Sequence, residues 1–244
     1  MTNAFSIKEA VVFGWHKVKS HSGLVFGVML TLFGLQVASS IVQKVLANSA
    51  LGIAASIVLT VLGIILGAGM TLIVLKLAKG EHAQYRDIVP DLTLVWKYFC
   101  VSVLTGVIVF LPLMAGGLVA LVLLVSTGSV NFSEGATTVG HVWEFALAVL
   151  IGAAAIICAL YLGLRYSMAR FAVLEGAAIV ESLRKSARFT HAIKWHLVLF
   201  VLAIVALNIV GFIVLLVGLL VTIPVSVLAY AHIYLKLKAH HGHH

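Results

Sequence analysis

The sequence predicts an all-α polytopic membrane helix bundle: six transmembrane helices in three hairpins, each preceded by a cytoplasmic interfacial amphipathic helix. Three observations lead there. Of the 244 residues, 62% are hydrophobic and only 10% charged, against about a quarter charged in a typical soluble domain. Uncharged stretches recur at the roughly 20 residues that a helix needs to cross the hydrocarbon core. The basic residues gather in alternate connections between those stretches.

Five uncharged stretches stand out. The first is centred on Leu24 to Ile41, the second runs from Leu51 to Leu75, the third from Phe99 to Val125 and the fourth from Phe145 to Leu164. The last, Leu197 to Leu235, is too long for one helix and suits two, with Gly211 and Gly218 as candidate positions for the reversal. The first 20 residues are polar and lead into an apolar stretch too long for the core of a cleaved leader, so it reads as a retained span.

Charge orients these spans. The N-terminal segment holds Lys8, Lys17 and Lys19, and the connection between spans two and three holds Lys76, Lys79, Arg86 and Lys97. Arg165, Arg170, Arg184, Lys185, Arg188 and Lys194 lie between spans four and five, and Lys236 and Lys238 in the tail. Of 16 basic residues, Lys44 alone falls on the other side. The positive-inside bias therefore places both termini in the cytoplasm, with the chain in a cytoplasmic (inner) cell membrane. Asn131–Val139 (NFSEGATTV) then faces outward. The formal charge of +8 is this same bias; no Lys/Arg block suits nucleic acid. Cys100 and Cys158 lie within apolar runs and are expected as small buried hydrophobes.

The basic segments share a layout that points to an internal repeat over about 1–80, 81–176 and 177–244 within one membrane domain. Each places a Trp just before a span: Trp15, Trp96 and Trp195. The exits also resemble one another, as LKLAKGE (Leu75–Glu81), RFAVLEG (Arg170–Gly176) and LKLKAHHG (Leu235–Gly242). In the third unit a helical wheel groups Ile179, Val180, Leu183 and Ala187 opposite Glu181, Arg184, Lys185 and Arg188, with Glu181 and Lys185 an i,i+4 pair. In the first, Ser6 and Glu9 form a Ser-x-x-Glu capping box, followed by a stripe of Ile7, Val11, Trp15 and Val18. In the second, Pro90 is expected to start a helix.

The segment EGAAIVESLRKSARFTHAIKW, from Glu175 to Trp195, and the closing helix VGLLVTIPVSVLAYAHIYLKL, which begins at Val217, resemble the glycerophosphoryl diester phosphodiesterase membrane-domain family and related six-helix bacterial membrane proteins. The fourth span departs from that pattern in lacking a proline. The resemblance implies the membrane part alone, because the family's chemistry resides in a separate soluble barrel that needs a His-Arg-Gly start, and this sequence has no His-Arg pair.

Chemistry in a membrane requires polar groups at depth, and no Asp, Glu, Lys or Arg lies in the central part of any span. Gln36, Ser39, Ser40, Thr60 and Asn208 read as interhelical hydrogen-bonding groups, ahead of a solute pathway. Gly23/Gly27 and Gly63/Gly67 are GxxxG pairs suited to close helix packing, and Pro112 and Pro224 read as tolerated kinks. His16/His21 and His191/His196 are spaced by five, which does not stack two ligands on one helix face, so no metal is expected; His240–His244 (HHGHH) carries no functional reading. Nucleophile-elbow, P-loop and zinc-protease motifs are absent.

The function expected is thus non-enzymatic, without a cofactor: a membrane scaffold or lipid-interacting protein. Anionic headgroups are the expected partner, met by Lys17, Lys19, Arg86, Lys97, Arg184, Lys185, Arg188 and Lys194, with Trp15, Trp96 and Trp195 as interfacial anchors. The alternative is a small-molecule transporter or channel, motivated by the repeat and the two intramembrane prolines. A protein partner is a third possibility on which the residues are silent.

Overall fold

The computed structural model describes residues 6–46, 49–126, 142–191, 193–213 and 217–241. These are helical almost throughout. Helix α1 (Ile7–Ser20) leads, after a break at His21, into α2 (Ser22–Val45), which pairs with α3 (Ala50–Lys79). A 3₁₀ turn (Tyr85–Ile88) precedes α4 (Leu92–Ser126). Next come α5 (Val142–Tyr166), the short α6 (Ala169–Leu174), α7 (Ile179–His191), α8 (Lys194–Ile213) and α9 (Val217–His241). Among the described residues six helices are long and apolar enough to cross a membrane. The loop 131–139, the side chain of Lys194 and the His-rich end of the tail lie outside the described residues.

The chain divides into two compact units: Met1–Val101 with Met168–His244, and Ser102–Ser167. The second unit is a helical hairpin held by small residues. A side chain at Gly116 would collide with Ala155, and Gly163 lies against Val109. Cys158, expected to be buried, is exposed there, as are Ile156, Ile157 and Leu160. Large apolar side chains point outward because lipid tails solvate them as well as protein does, leaving close packing to small residues.

The first unit is built around α9, in which Leu228, Ala229, Ala231 and Ile233 are fully buried. Helix α8 folds back on α9 where the sequence predicts: Gly211 and Gly218 face each other so closely that neither could carry a side chain unchanged. Asn208 bridges the same two helices, its Nδ2 donating to Ser226 Oγ (3.1 Å) and to the Ile204 carbonyl (2.8 Å). The other deep polar groups bond within their own helices, Ser40 to the Gln36 carbonyl, Gln43 to Ser39 and Thr60 to the Ser56 carbonyl. Asn208→Leu is expected to cost about 1 kcal/mol, the scale of one interhelical hydrogen bond in a membrane. Thermal unfolding in detergent checks it; a loss several times larger would mean that Asn208 does more than join α8 to α9.

The packing faces differ from those the hydrophobic pattern predicts. In α1 the buried residues are Ala10, Gly14 and Val18, while Trp15 is exposed. The small face lies on α9, with Gly14 against the Val225 carbonyl. Ser6 does cap α1 through the Glu9 N–H, but the Glu9 carboxylate is bound to Lys236 at 2.6 Å instead of closing the capping box. In α7 the predicted Glu181–Lys185 pair forms at 2.7 Å. Its inward face, however, is Ser182, Ser186, Phe189 and Thr190, and Val180 of the apolar arc is 65% exposed. Both corrections have one cause. Hydrophobicity marks the lipid side of a membrane helix, and small or hydroxyl-bearing residues mark the protein side.

Where a second interfacial helix is expected there is one 3₁₀ turn, and Pro90 lies two residues ahead of α4 rather than at its first turn. The turn docks by both side chain and backbone. The Tyr85 ring covers Gly27 at 3.6 Å and its hydroxyl bonds Thr31, while the Ile88 carbonyl fills the space where Gly69 lacks a side chain. The GxxxG pairs do not mediate close helix crossings: nothing lies within 4 Å of a side-chain position at Gly23 or Gly67, and Gly63 meets only Leu35 at 3.8 Å. Pro112 and Pro224 are accommodated inside continuous helices.

Candidate functional site

At one end of the first unit, the C-terminal ends of α3, α6 and α9 meet. Helix α3 ends at Lys79 with Gly80 in the left-handed conformation (φ 78°), and the Glu81 N–H returns to the Lys76 carbonyl. Helix α6 ends in the same way. Gly176 has φ 94°, its N–H returns to the Val173 carbonyl, and Glu175 occupies the position before it. A β-carbon strains that backbone, which explains a glycine at each stop. The residues ahead of the two glycines, Lys79 and Glu175, form an ion pair at 2.8 Å.

Glu175 is the centre of the cluster. Lys238 of α9 reaches its other oxygen at 2.7 Å, and the Tyr234 hydroxyl donates to that oxygen at 2.6 Å. The carboxylate side chain is only 8% exposed. A negative charge at a helix C-terminus is disfavoured by the helix dipole, so Glu175 depends on these partners. Burial alone pushes its carboxyl up, but the hydrogen bonds from Lys238, Lys79 and Tyr234 more than reverse this and hold it below the usual range. Tyr234 stacks on Phe171 of α6 (5.5 Å) and is itself buried.

Two further ion pairs lie beside it. Asp87 of the 3₁₀ turn takes Lys76 at 2.8 Å and the Gln84 N–H at 2.9 Å. Despite its partial burial, the bonds from Gln84 and Lys76 hold its carboxyl low. Glu9 joins α1 to α9 through Lys236, with His232 at 3.8 Å and the Phe13 ring stacked on that histidine at 4.1 Å. The Lys236 hydrogen bond and charge lower the Glu9 carboxyl.

A cavity of about 270 Å³ opens next to Glu175, lined by Lys185, Arg188 and Phe189 of α7, Tyr234 and Lys238 of α9, and two alanines. Of the cations expected to meet headgroups, Lys185 and Arg188 are brought together here. Arg184, Arg86 and Lys19 are exposed elsewhere, Lys97 is half-buried, and Lys17 lies over the Phe13 ring at 5.7 Å. Trp15, Trp96 and Trp195 are all exposed, Trp195 by 80%, as anchors at an interface must be. The sequence reading missed Glu175, Lys79, Lys238 and Tyr234 as site residues. The available signal was an acidic residue, Glu175, standing before the glycine where the first exit has Lys79.

The sequence matches, over residues 9–241, the family described as "Protein of unknown function (DUF975)". The chain belongs to that family. No curated protein and no solved structure matches it. The match therefore places nearly the whole chain within DUF975, and the six apolar helices make it a multi-pass membrane protein.

Proposed function

We propose that the chain is a non-enzymatic protein of the cytoplasmic (inner) membrane, a scaffold or lipid-interacting protein that works through a basic cytoplasmic face. The observation that carries this reading is the convergence of the exits of α3, α6 and α9 with α1 and α7 into one charged end of the first unit. Four ion pairs there, Lys76–Asp87, Lys79–Glu175, Lys236–Glu9 and Lys238–Glu175, tie α3 to the 3₁₀ turn, α3 and α9 to the end of α6, and α9 to α1. The exposed cations Lys19, Arg184 and Arg188 belong to α1 and α7 of the same unit. The basic bias of these segments supports a cytoplasmic location for them. The resemblance to the phosphodiesterase membrane domains enters this reading only as a likeness of membrane parts.

A transport role finds less support. A cavity of about 700 Å³ borders α3 and includes Gln43, Ser56 and Thr60, but its lining is otherwise apolar and contains neither Gln36 nor Asn208. Liposome flotation tests the lipid reading. Each cation near an anionic surface contributes about 1 kcal/mol, so replacing Arg184, Lys185 and Arg188 together by Gln is expected to weaken dependence on anionic lipid by more than tenfold. Recovery and stability indifferent to anionic lipid content in the unaltered protein would overturn it.

A further inference from the structure

We propose that the cavity between α6, α7 and α9 is a phosphate-binding site, taking the phosphate of an anionic lipid headgroup or of a water-soluble phosphate ester. It deepens the lipid-interacting reading, on which its headgroup case rests, by assigning that role to one place.

Three cationic side chains, Lys185, Arg188 and Lys238, line the cavity against one carboxylate, Glu175. That carboxylate is already compensated from behind. Lys79, which does not line the cavity, holds one oxygen at 2.8 Å, and Tyr234 donates to the other. Lys238 is therefore a second cation on a single negative charge, and its side chain is 51% exposed. It can turn to an incoming anion without leaving Glu175 unpaired. Arg188 has no ion-pair partner among the described residues, and its side chain is exposed. A guanidinium presents two parallel N–H donors that match two phosphate oxygens, so it recognises phosphate by shape as well as by charge. Lys185 is held by Glu181 at 2.7 Å and adds charge at the rim.

Size and position agree with this ligand. About 270 Å³ lies below the ~300–1,000 Å³ of sites for drug-sized molecules and suits a small polar group. The small side chains of Ala172 and Ala177 and the rings of Phe189 and Tyr234 complete the lining. The exposed Trp195 follows α7 in the chain, at the level where a headgroup lies if that Trp anchors the interface.

The test uses the full chain in two arms. In phosphatidylcholine nanodiscs, inorganic phosphate and glycerol 3-phosphate are titrated and thermal stabilisation is followed. In detergent, phosphatidylglycerol and phosphatidylcholine are offered in turn and retained lipid is counted by native mass spectrometry. Saturable binding is expected in at least one arm, weakened about tenfold or more by Arg188→Gln and by Lys238→Gln. Lys238→Arg is expected to retain it, and Arg184→Gln and Lys19→Gln, which do not line the cavity, to change binding of soluble phosphate in the phosphatidylcholine nanodiscs by less than about twofold. Saturation by soluble phosphate alone assigns the site to a soluble ester, and retention of phosphatidylglycerol alone assigns it to a headgroup; either supports the proposal. Equal weakening by all four Gln variants would overturn the site while leaving the basic-face reading intact. No saturable binding in either arm would also overturn it. Phosphate binding together with flotation indifferent to anionic lipid would sink the lipid role and leave the site standing.

Discussion

Replacing Glu175 by Ala is expected to destabilise the protein by about 2–3 kcal/mol, the largest loss from any single charge in the first unit. Removing one member of a buried ion pair ordinarily costs about 3–5 kcal/mol, because the remaining charge is left without compensation. Here the Lys79 and Lys238 side chains are 30% and 51% exposed and can partly regain water, which lowers the figure. Tyr234, almost fully buried, loses the acceptor for its hydroxyl. Glu175→Gln keeps an acceptor and is expected to cost less. In a double-mutant cycle, Lys79→Met should recover part of the loss, because it removes one of the orphaned cations. Thermal or denaturant unfolding in detergent reads all three variants, and an Ala variant within about 0.5 kcal/mol of the parent would contradict the role given to this residue. The same site sets an acid limit. A carboxylate whose value is depressed by folding contributes stability that is complete above its unfolded value of 4.5 and is lost as pH falls through the lower folded value. The parent should therefore lose stability on acidification below about pH 4.5, and Glu175→Gln should lose less over the same window.

Gly14→Leu is the second large effect. A β-carbon at Gly14 would lie 2.5 Å from the Val225 carbonyl oxygen and 3.3 Å from the Ala229 nitrogen. Both are backbone atoms of α9 and cannot rotate away, so the helices must separate. Overpacking typically costs about 1–3 kcal/mol, a range expected for Gly14→Ala. Leu adds bulk that should release α1 from α9, along with the Glu9–Lys236 bond and the Phe13–His232 stack. The expected readout is faster proteolysis within residues 7–20 and loss of a cross-link between cysteines placed at positions 13 and 232, whose rings stack in the parent. Gly23→Ala is the control: nothing lies within 4 Å of that position, and Ala favours a helix over Gly by up to about 1 kcal/mol. Equal behaviour of the two variants would rule out the close crossing.

These two residues differ in how far they could be read in advance. The rhyme of LKLAKGE with RFAVLEG was visible, and with it the equivalence of Lys79 and Glu175. That they pair was not, because residues 96 positions apart are joined only by the packing of α6 against α3 and α9. Gly14 has no glycine four residues before or after it, whereas Gly23/Gly27 and Gly63/Gly67 have that spacing. Spacing marks a close approach only when a second helix's backbone crosses there, and of those four Gly27 meets only the Tyr85 ring and Gly63 only the Leu35 side chain. The predicted stripes of α1 and α7 erred for a related reason: they treated apolar as inward.

Read alone, the sequence determined the all-helical class, the six apolar spans, the α8–α9 reversal near Gly211 and Gly218, and the segments that carry charge. Each of these follows from local composition, since an uninterrupted apolar run of about 20 residues has the length that crosses lipid as a helix, with its backbone bonded within the segment. Only the tertiary structure decided which face of each helix is covered, that the 3₁₀ turn replaces a second interfacial helix, and that Glu175 gathers Lys79, Lys238 and Tyr234. The reason is physical. In a bilayer no hydrophobic force drives one helix against another, so inward faces are chosen by fit and by polar pairing between distant residues.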